Sequence, residues 1–246
     1  MALKQAKVIA VTSVKGGTGK TTMTLGLAGI LASKNLKTII VDMDLHSGAI
    51  APSLNLNFKK DIYTLVSDYM NHSLKELDEY TVKYNDYIDV LAAPKDPRSV
   101  GKINAYYIDL ILKKLKYKYD VVLIDTNHII DDINLISFDN SDSIIYTITS
   151  NLIDLKNMKT MVSIYKDMNL TNYYIVLNEA LSHASYDLFT INSFLERQID
   201  YIFPSSGFIK NMPKLLMDGK IFTLEKKHQK DKGTQELTKI LDKILK

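Results

Sequence analysis

The sequence predicts an α/β protein: a doubly wound, mostly parallel sheet with helices on both faces, three layers deep. Three observations predict it. Short apolar runs alternate with helix-period patterns along the 246-residue chain, the order expected of strands joined by crossover helices. Several of these runs are apolar almost without alternation, as strands buried on both faces are. The first run also leads through a glycine-rich octet into an amphipathic helix, an arrangement that aims successive backbone N–H groups at an anion.

Val8–Val11, ending at Thr12 and Ser13, is the first strand. The octet Lys15-Gly16-Gly17-Thr18-Gly19-Lys20-Thr21-Thr22 follows, and the next helix carries Met23, Leu25, Leu27, Ala28, Leu31 and Ala32 toward a core. Later strands are Thr38–Asp42, Ile88–Ala92, Val121–Asp125, Ser143–Ile148, Tyr173–Leu177 and Ile199–Phe203. Helices are predicted over 61–70, 102–117, 152–167, 187–196 and 233–245. Pro94 and Pro97 mark the loop leaving the third strand, because proline fixes φ and removes a donor. Asp131 and Asp132 are placed to cap or precede a further helix. No low-complexity linker or internal repeat divides the chain, so residues 1–246 are read as a single domain.

Composition narrows the function classes. Hydrophobic residues make up 46% of the chain, enough for a sizeable core. The net charge of +3 is too small to argue for DNA or an anionic membrane by itself. The absence of cysteine excludes disulfides and thiolate metal sites, and it suits a reducing cytosol. Met1–Lys7 lacks the apolar stretch and cleavage site of a signal peptide. No apolar run approaches the roughly 20 residues needed to span a bilayer. The expectation is a cytoplasmic protein, at most peripheral at a membrane or a cell pole.

In the octet, the backbone of Gly16, Gly17, Thr18 and Gly19 forms the anion nest, with Thr22 at its end. Lys20 can reach the outer phosphates of a nucleotide, and the Thr21 hydroxyl is placed for Mg2+. The strict phosphate-loop pattern G-x-x-x-x-G-K-[ST] fails here, since Val14 stands where its first glycine belongs. Asp42 and Asp44 close the second strand at i and i+2, so they share one face or flank the turn together. Asp42, Asp44, Asp125 and Asn178 all fall at the carboxyl ends of predicted strands. Ligands of open parallel sheets bind beyond those ends, which puts all four on the rim of the octet.

The core K-G-G-T-G-K-T-T, with its additional Lys15, resembles the deviant Walker A motif of the MinD/ParA superfamily of P-loop NTPases. The resemblance implies ATP and Mg2+ as cofactors and a homodimer when ATP is bound. It gives Lys15 the part of a lysine that crosses to the partner's nucleotide. By the same match, Asp42 supports the Mg2+ shell and Asp44 positions or activates the attacking water. Asp125 matches the Walker B aspartate, but the family's D-x-P-P or D-x-P-x-G is here Asp125-Thr126-Asn127-His128. His128 is read as a contact to nucleotide or partner, or as a solvent-facing or core-edge side chain, the latter being preferred. Leu177-Asn178-Glu179 resembles the family's V-L-N-[RK], whose asparagine contacts adenine, with Glu179 where a basic residue is common. An amide offers one donor and one acceptor face, which suits the adenine edge. Phe203-Pro204-Ser205-Ser206 resembles the I-P-x-D loop bordering the base.

Further segments resemble the CpaE/TadZ-type pilus-assembly ATPases: Asp44–Leu56, Leu91–Pro94 and Asn151–Met158. Proteins of that branch often carry an N-terminal receiver-like domain, and none is expected here. The resemblance implies an ATPase that positions a pilus or secretion apparatus through a protein partner. One alternative is a ParA-type partition ATPase coating DNA, for which Lys226, Lys227, Lys230 and Lys232 are the candidate patch, interrupted by Glu225 and Asp231. A solvated connector is the preferred reading of that patch. A second alternative is a MinD-like membrane cycler, using the apolar face Leu237, Ile240, Leu241, Ile244 and Leu245 within residues 233–246. Packing of that face on the fold is preferred. A metabolic ATP-dependent enzyme would need a second substrate pocket or a cysteine-bound cluster. The lack of cysteine removes the cluster, and nothing in the sequence marks the pocket.

Overall fold

The computed structural model describes residues 5–182, 186–205 and 212–246. Among these, eight strands form one sheet: β1 (Lys7–Thr12), β2 (Thr38–Met43), β3 (Val82–Lys83), β4 (Ile88–Leu91), β5 (Val121–Thr126), β6 (Ser143–Ile148), β7 (Tyr173–Asn178) and β8 (Tyr201–Phe203). Their spatial order is β3-β4-β2-β5-β1-β6-β7-β8. Every pairing is parallel except β3 with β4. The chain runs outward from β1 in one direction through β2, then resumes on the other side with β6, so the loop after β1 opens at the point where the winding reverses.

Helices cover both faces. Strand residues of one parity, including Ile9, Val11, Ile40, Leu123 and Val176, pack under α1 (Lys20–Ser33), α8 (Met212–Met217) and α9 (Lys232–Ile244). The other parity, including Val8, Ala10, Val41, Ile124 and Ile175, packs under α3 (Ile62–Met70), α4 (Ala105–Leu115), α6 (Leu152–Asp167) and α7 (Leu188–Leu195). This two-sided burial is why the strands read as unbroken apolar runs. The short α2 (Ile50–Ser53) follows β2, and α5 (Asp132–Asp139) follows β5. Helix starts are set by side-chain caps: Asp61, Asn104, Asp131, Asn151 and Asp187 each accept an orphan N–H of the first turn. Asp131 is the cap itself, accepting from the N–H of Asn134 at 2.8 Å.

The predicted doubly wound α/β architecture is the one observed, and the strand at 143–148 and the helix at 152–167 match residue for residue. Three elements went unpredicted. The antiparallel edge strand β3 has two residues, too few to show a period, and α2 and α8 span four and six residues. The helix expected from residue 102 starts at Ala105, because a 3-10 turn over Pro97–Lys102 precedes the Asn104 cap. The last helix, α9, packs its apolar stripe on α1 and β8: Leu237, Ile240, Leu241 and Ile244 are buried, and Leu245 is half-buried. That face is covered, as the preferred reading held. Lys226, Lys227, Lys230 and Lys232 are all exposed to solvent.

Candidate functional site

The octet forms the turn from β1 into α1. Gly17 and Gly19 have φ of 78° and 96°, the left-handed region that β-carbon-bearing residues avoid. Gly19 has a second reason to lack a side chain, since a β-carbon there would lie 2.6 Å from Asn178 Nδ2. Thr18 is buried and its hydroxyl pairs with that of Thr147 at 2.9 Å, so the loop is stitched to β6. Gly16 and Gly17 are exposed, while Thr21 and Thr22 are half-buried at the start of α1.

Lys20 lies beneath the loop, nearly buried, with Nζ donating to Ser13 Oγ at 3.1 Å. Burial pulls its pKa below the usual lysine value, opposed by the charges of Asp125 and Asp44. Lys15 is different. It is half-buried at the outer edge of the loop, and its ammonium has no hydrogen-bond or ion-pair partner among the described residues. Lys15, Gly16, Gly17 and Thr18 line a cavity of about 470 Å³ together with Asn151, Leu181 and Tyr186.

The acidic groups converge by strand register. Asp42 of β2 and Asp125 of β5 are Cα partners across parallel strands, so both point toward the α1 face. Both are fully buried. Asp42 Oδ2 accepts the N–H of Ile50 at 3.0 Å, and Oδ1 accepts that of Asp44 at 3.3 Å. Asp125 accepts from Thr21 Oγ1 at 2.8 Å and from Thr24 Oγ1 at 2.9 Å. Burial raises both carboxyls, Asp42 well above the ordinary range and Asp125 to about 6, with the neighbouring negative charges adding to the effect. Asp44 lies just past the strand, half-buried, its carbonyl accepting from Ser47 and Gly48 in a tight turn. Asp42 therefore lies within β2, and Asp44 opens the turn that follows it.

Among the described residues no group of three or more His, Cys, Asp or Glu gathers as a metal cage. The set present fits a hard divalent cation that keeps most of its waters. It consists of one hydroxyl, Thr21, and two buried carboxylates opened toward a phosphate-binding loop, an oxygen-only set of the kind Mg2+ takes.

The residues expected to border a base lie at the same carboxyl-end rim of the sheet. Asn178 is buried at the end of β7, donating from Nδ2 to Thr18 O at 2.9 Å and accepting from Ala180 N at 3.2 Å. One amide hydrogen and one lone pair remain, the minimum for one donor and one acceptor on a base edge. Pro204 is half-buried and Ser205 exposed just beyond β8, while Ser206 lies outside the described residues. His128 is exposed, its ring beside Gly16.

The sequence did not disclose what replaces the missing proline and glycine after Asp125. Asn127 Oδ1 accepts from Ile129 N and from Asn134 Nδ2, both at 2.7 Å, and Thr12 Oγ1 donates to Asn127 O at 3.4 Å. The segment is thereby tied to α5. Thr24 was also missed. Its only signal was a further hydroxyl one helical turn beyond Thr21.

The profile of the AAA domain family (AAA_31) matches residues 6–182. The septum site-determining protein MinD of Synechocystis is 31% identical over 120 residues, covering 48% of this chain and 44% of that protein. The chain spans about half the length of the curated relatives it matches. Among solved structures, a ParA family ATPase from Chlorobium tepidum superposes with a TM-score of 0.83 at 18% identity, covering 98% of this chain and 99% of that one. MinD of Pyrococcus horikoshii, complexed with Mg-ADP, gives 0.78 at 20% identity, covering 97% and 96%. At such identities the superpositions speak to the fold, which they show to be that of these P-loop ATPases. With the family profile covering most of its length, the chain belongs to the AAA_31 family of AAA domains, within the MinD/ParA superfamily.

Proposed function

We propose that this chain is an ATP-binding and ATP-hydrolysing spatial organiser, a single domain over residues 1–246, two copies of which associate when ATP is bound. The observation that carries the reading is the division between its two loop lysines. Lys20 lies under the loop, close enough to Asp125 and Asp44 to feel their charge, whereas Lys15 stands at the outer edge with no partner among the described residues. A buried lysine beside a glycine nest serves the nucleotide of its own chain. An unpaired one at the rim is available to a nucleotide facing it, where it would add positive charge as the transition state develops.

In this reading Gly16–Thr22 bind the phosphates, and Asn178, Pro204 and Ser205 border the base. Thr21, Asp42 and Asp125 hold Mg2+, directly or through water, and Asp44 orients the attacking water. Bound Mg2+ would supply neutralisation of phosphate charge. The chain's own residues fix the phosphate positions, the water and the crossing lysine.

The cargo we propose is a pilus or secretion apparatus reached through a protein partner, which rests on the CpaE/TadZ-like segments of the sequence. Partition along DNA and membrane cycling agree equally well with relatives that are ParA and MinD proteins. The exposed lysines at 226–232 are what partition would use. The buried stripe of α9 counts against membrane attachment through that helix unless the helix detaches. Among the described residues no helix is long and apolar enough to cross a membrane. We place the protein in the cytoplasm, peripheral at most to a membrane or pole.

Size-exclusion chromatography with ATP tests the core of the proposal, with a dimer expected under ATP and a monomer under ADP. A monomer under both overturns it. Repeating the run with duplex DNA or anionic liposomes separates the cargo classes, since co-elution with either favours the corresponding alternative over the pilus role.

A further inference from the structure

Asp125 is held by two hydroxyls, one on each oxygen. Thr21 Oγ1 donates to Oδ2 at 2.8 Å, and Thr24 Oγ1 stands 2.9 Å from Oδ1. The two threonines are three residues apart on α1 and so lie on the same face of the helix, the face turned to β5. Thr24 is fully buried, whereas Thr21 is half-buried at the loop. The Thr24 hydroxyl also lies 3.1 Å from the Lys20 carbonyl. It has one proton to give, and an ionised carboxylate is the stronger acceptor.

A carboxylate held at one oxygen still turns about its last bond, because that torsion is broad. Held at both, it has a fixed plane. Thr21 holds only Oδ2, and the proposed function also gives it to the cation, so a second hydroxyl on Oδ1 is what fixes the plane. Thr24 is far enough along the helix to take no part in that space.

We propose that Thr24 is the positioning residue of the metal side of this site: it anchors Oδ1 of Asp125 so that Oδ2, beside Thr21, is the oxygen presented to a divalent cation and its waters. The inference rests on the assignment of Asp125 to the Mg2+ shell. Outer-shell partners of this kind set ligand orientation and thereby metal affinity.

The test is Mg2+-dependent binding of a fluorescent ADP analogue to the full chain, titrated from EDTA upward. In Thr24→Val, metal-free affinity for the analogue stays at the wild-type value. The Mg2+ concentration for half-maximal enhancement rises roughly 10- to 100-fold. Thr24→Ser, which keeps the hydroxyl, restores it. Wild-type Mg2+ dependence in a folded Thr24→Val protein overturns the inference. If Thr24→Val does not fold, the crystal structure of the wild-type Mg2+·ADP complex decides. The Thr24–Oδ1 contact kept, with Oδ2 toward the cation, supports the inference, and Oδ1 turned toward the cation overturns it. If the wild-type protein binds the analogue with no response to Mg2+, the assignment of the metal site fails instead.

Discussion

Asp42 and Asp125 are register partners on adjacent parallel strands, both fully buried and both facing α1. Two carboxyls so placed hold their protons more tightly in the fold than in the unfolded chain. Their contribution to stability is complete below the ordinary aspartate range. It is lost as pH rises through the folded values, about 6 for Asp125 and a raised value for Asp42. A divalent cation removes that penalty only where the protons have left. The rise in melting temperature on adding Mg2+ with ADP should therefore be larger at about pH 7.5 than at about pH 5.5. Differential scanning fluorimetry giving equal shifts at both would contradict the pairing.

Lys20→Ala removes the ammonium packed beneath the loop. Nucleotide binding should fall below detection by calorimetry while the circular dichroism spectrum is retained. The Ser13 hydroxyl, which now accepts from Lys20, is left to a water.

Lys15→Ala should leave nucleotide affinity unchanged and abolish turnover that depends on protein concentration. Asp44→Ala should also abolish turnover, but by accumulating an ATP-bound dimer on size exclusion. Turnover that is first order in protein and unaltered by the loss of Lys15 would remove the crossing-lysine assignment.

Gly19→Ala sets a methyl group 2.6 Å from Asn178 Nδ2 on a backbone at φ 96°. The backbone alone costs about 1–3 kcal/mol, and the Asn178 bond to Thr18 must break as well. The expected result is a lower melting temperature together with lost nucleotide binding. The double variant with Asn178→Ala should recover little, because the dihedral strain remains.

Leu241→Ala, in the buried stripe of α9, should cost roughly 2–5 kcal/mol in a denaturant titration. Removal of residues 233–246 should unfold the protein. A truncated chain that stays folded and merely loses liposome binding would restore the membrane reading.

What the sequence disclosed of this site is what repeats locally. The octet, the aspartates that end apolar runs and Asn178 are each visible within about ten residues of sequence, and the rim rule for parallel sheets gathers them in space. The relations among them are not local. That Asp42 stands level with Asp125 follows from strand order, with β5 inserted between β2 and β1, and no periodicity encodes it. Thr24 reads as an ordinary helix position until β5 is laid beside it. The Asn127–Asn134 pair joins a loop to a helix through two side chains that belong to no motif. The edge strand β3 owes its pairing to β4 and shows nothing by itself.

That amide pair has a mechanical consequence. The four residues from Asp125 to His128 contain neither the proline nor the glycine of the related patterns, and Asn127 Oδ1 accepts from Asn134 Nδ2 on α5 at 2.7 Å. The end of β5 and helix α5 are thus joined by a side-chain hydrogen bond as well as by the loop between them. The tie links Asp125's strand to α5, on which Leu135 is exposed to solvent, as are Ile129 and Ile130 in the loop before it. Under the proposed ATP cycle, α5 is the outward element that a shift of Asp125 would reach first.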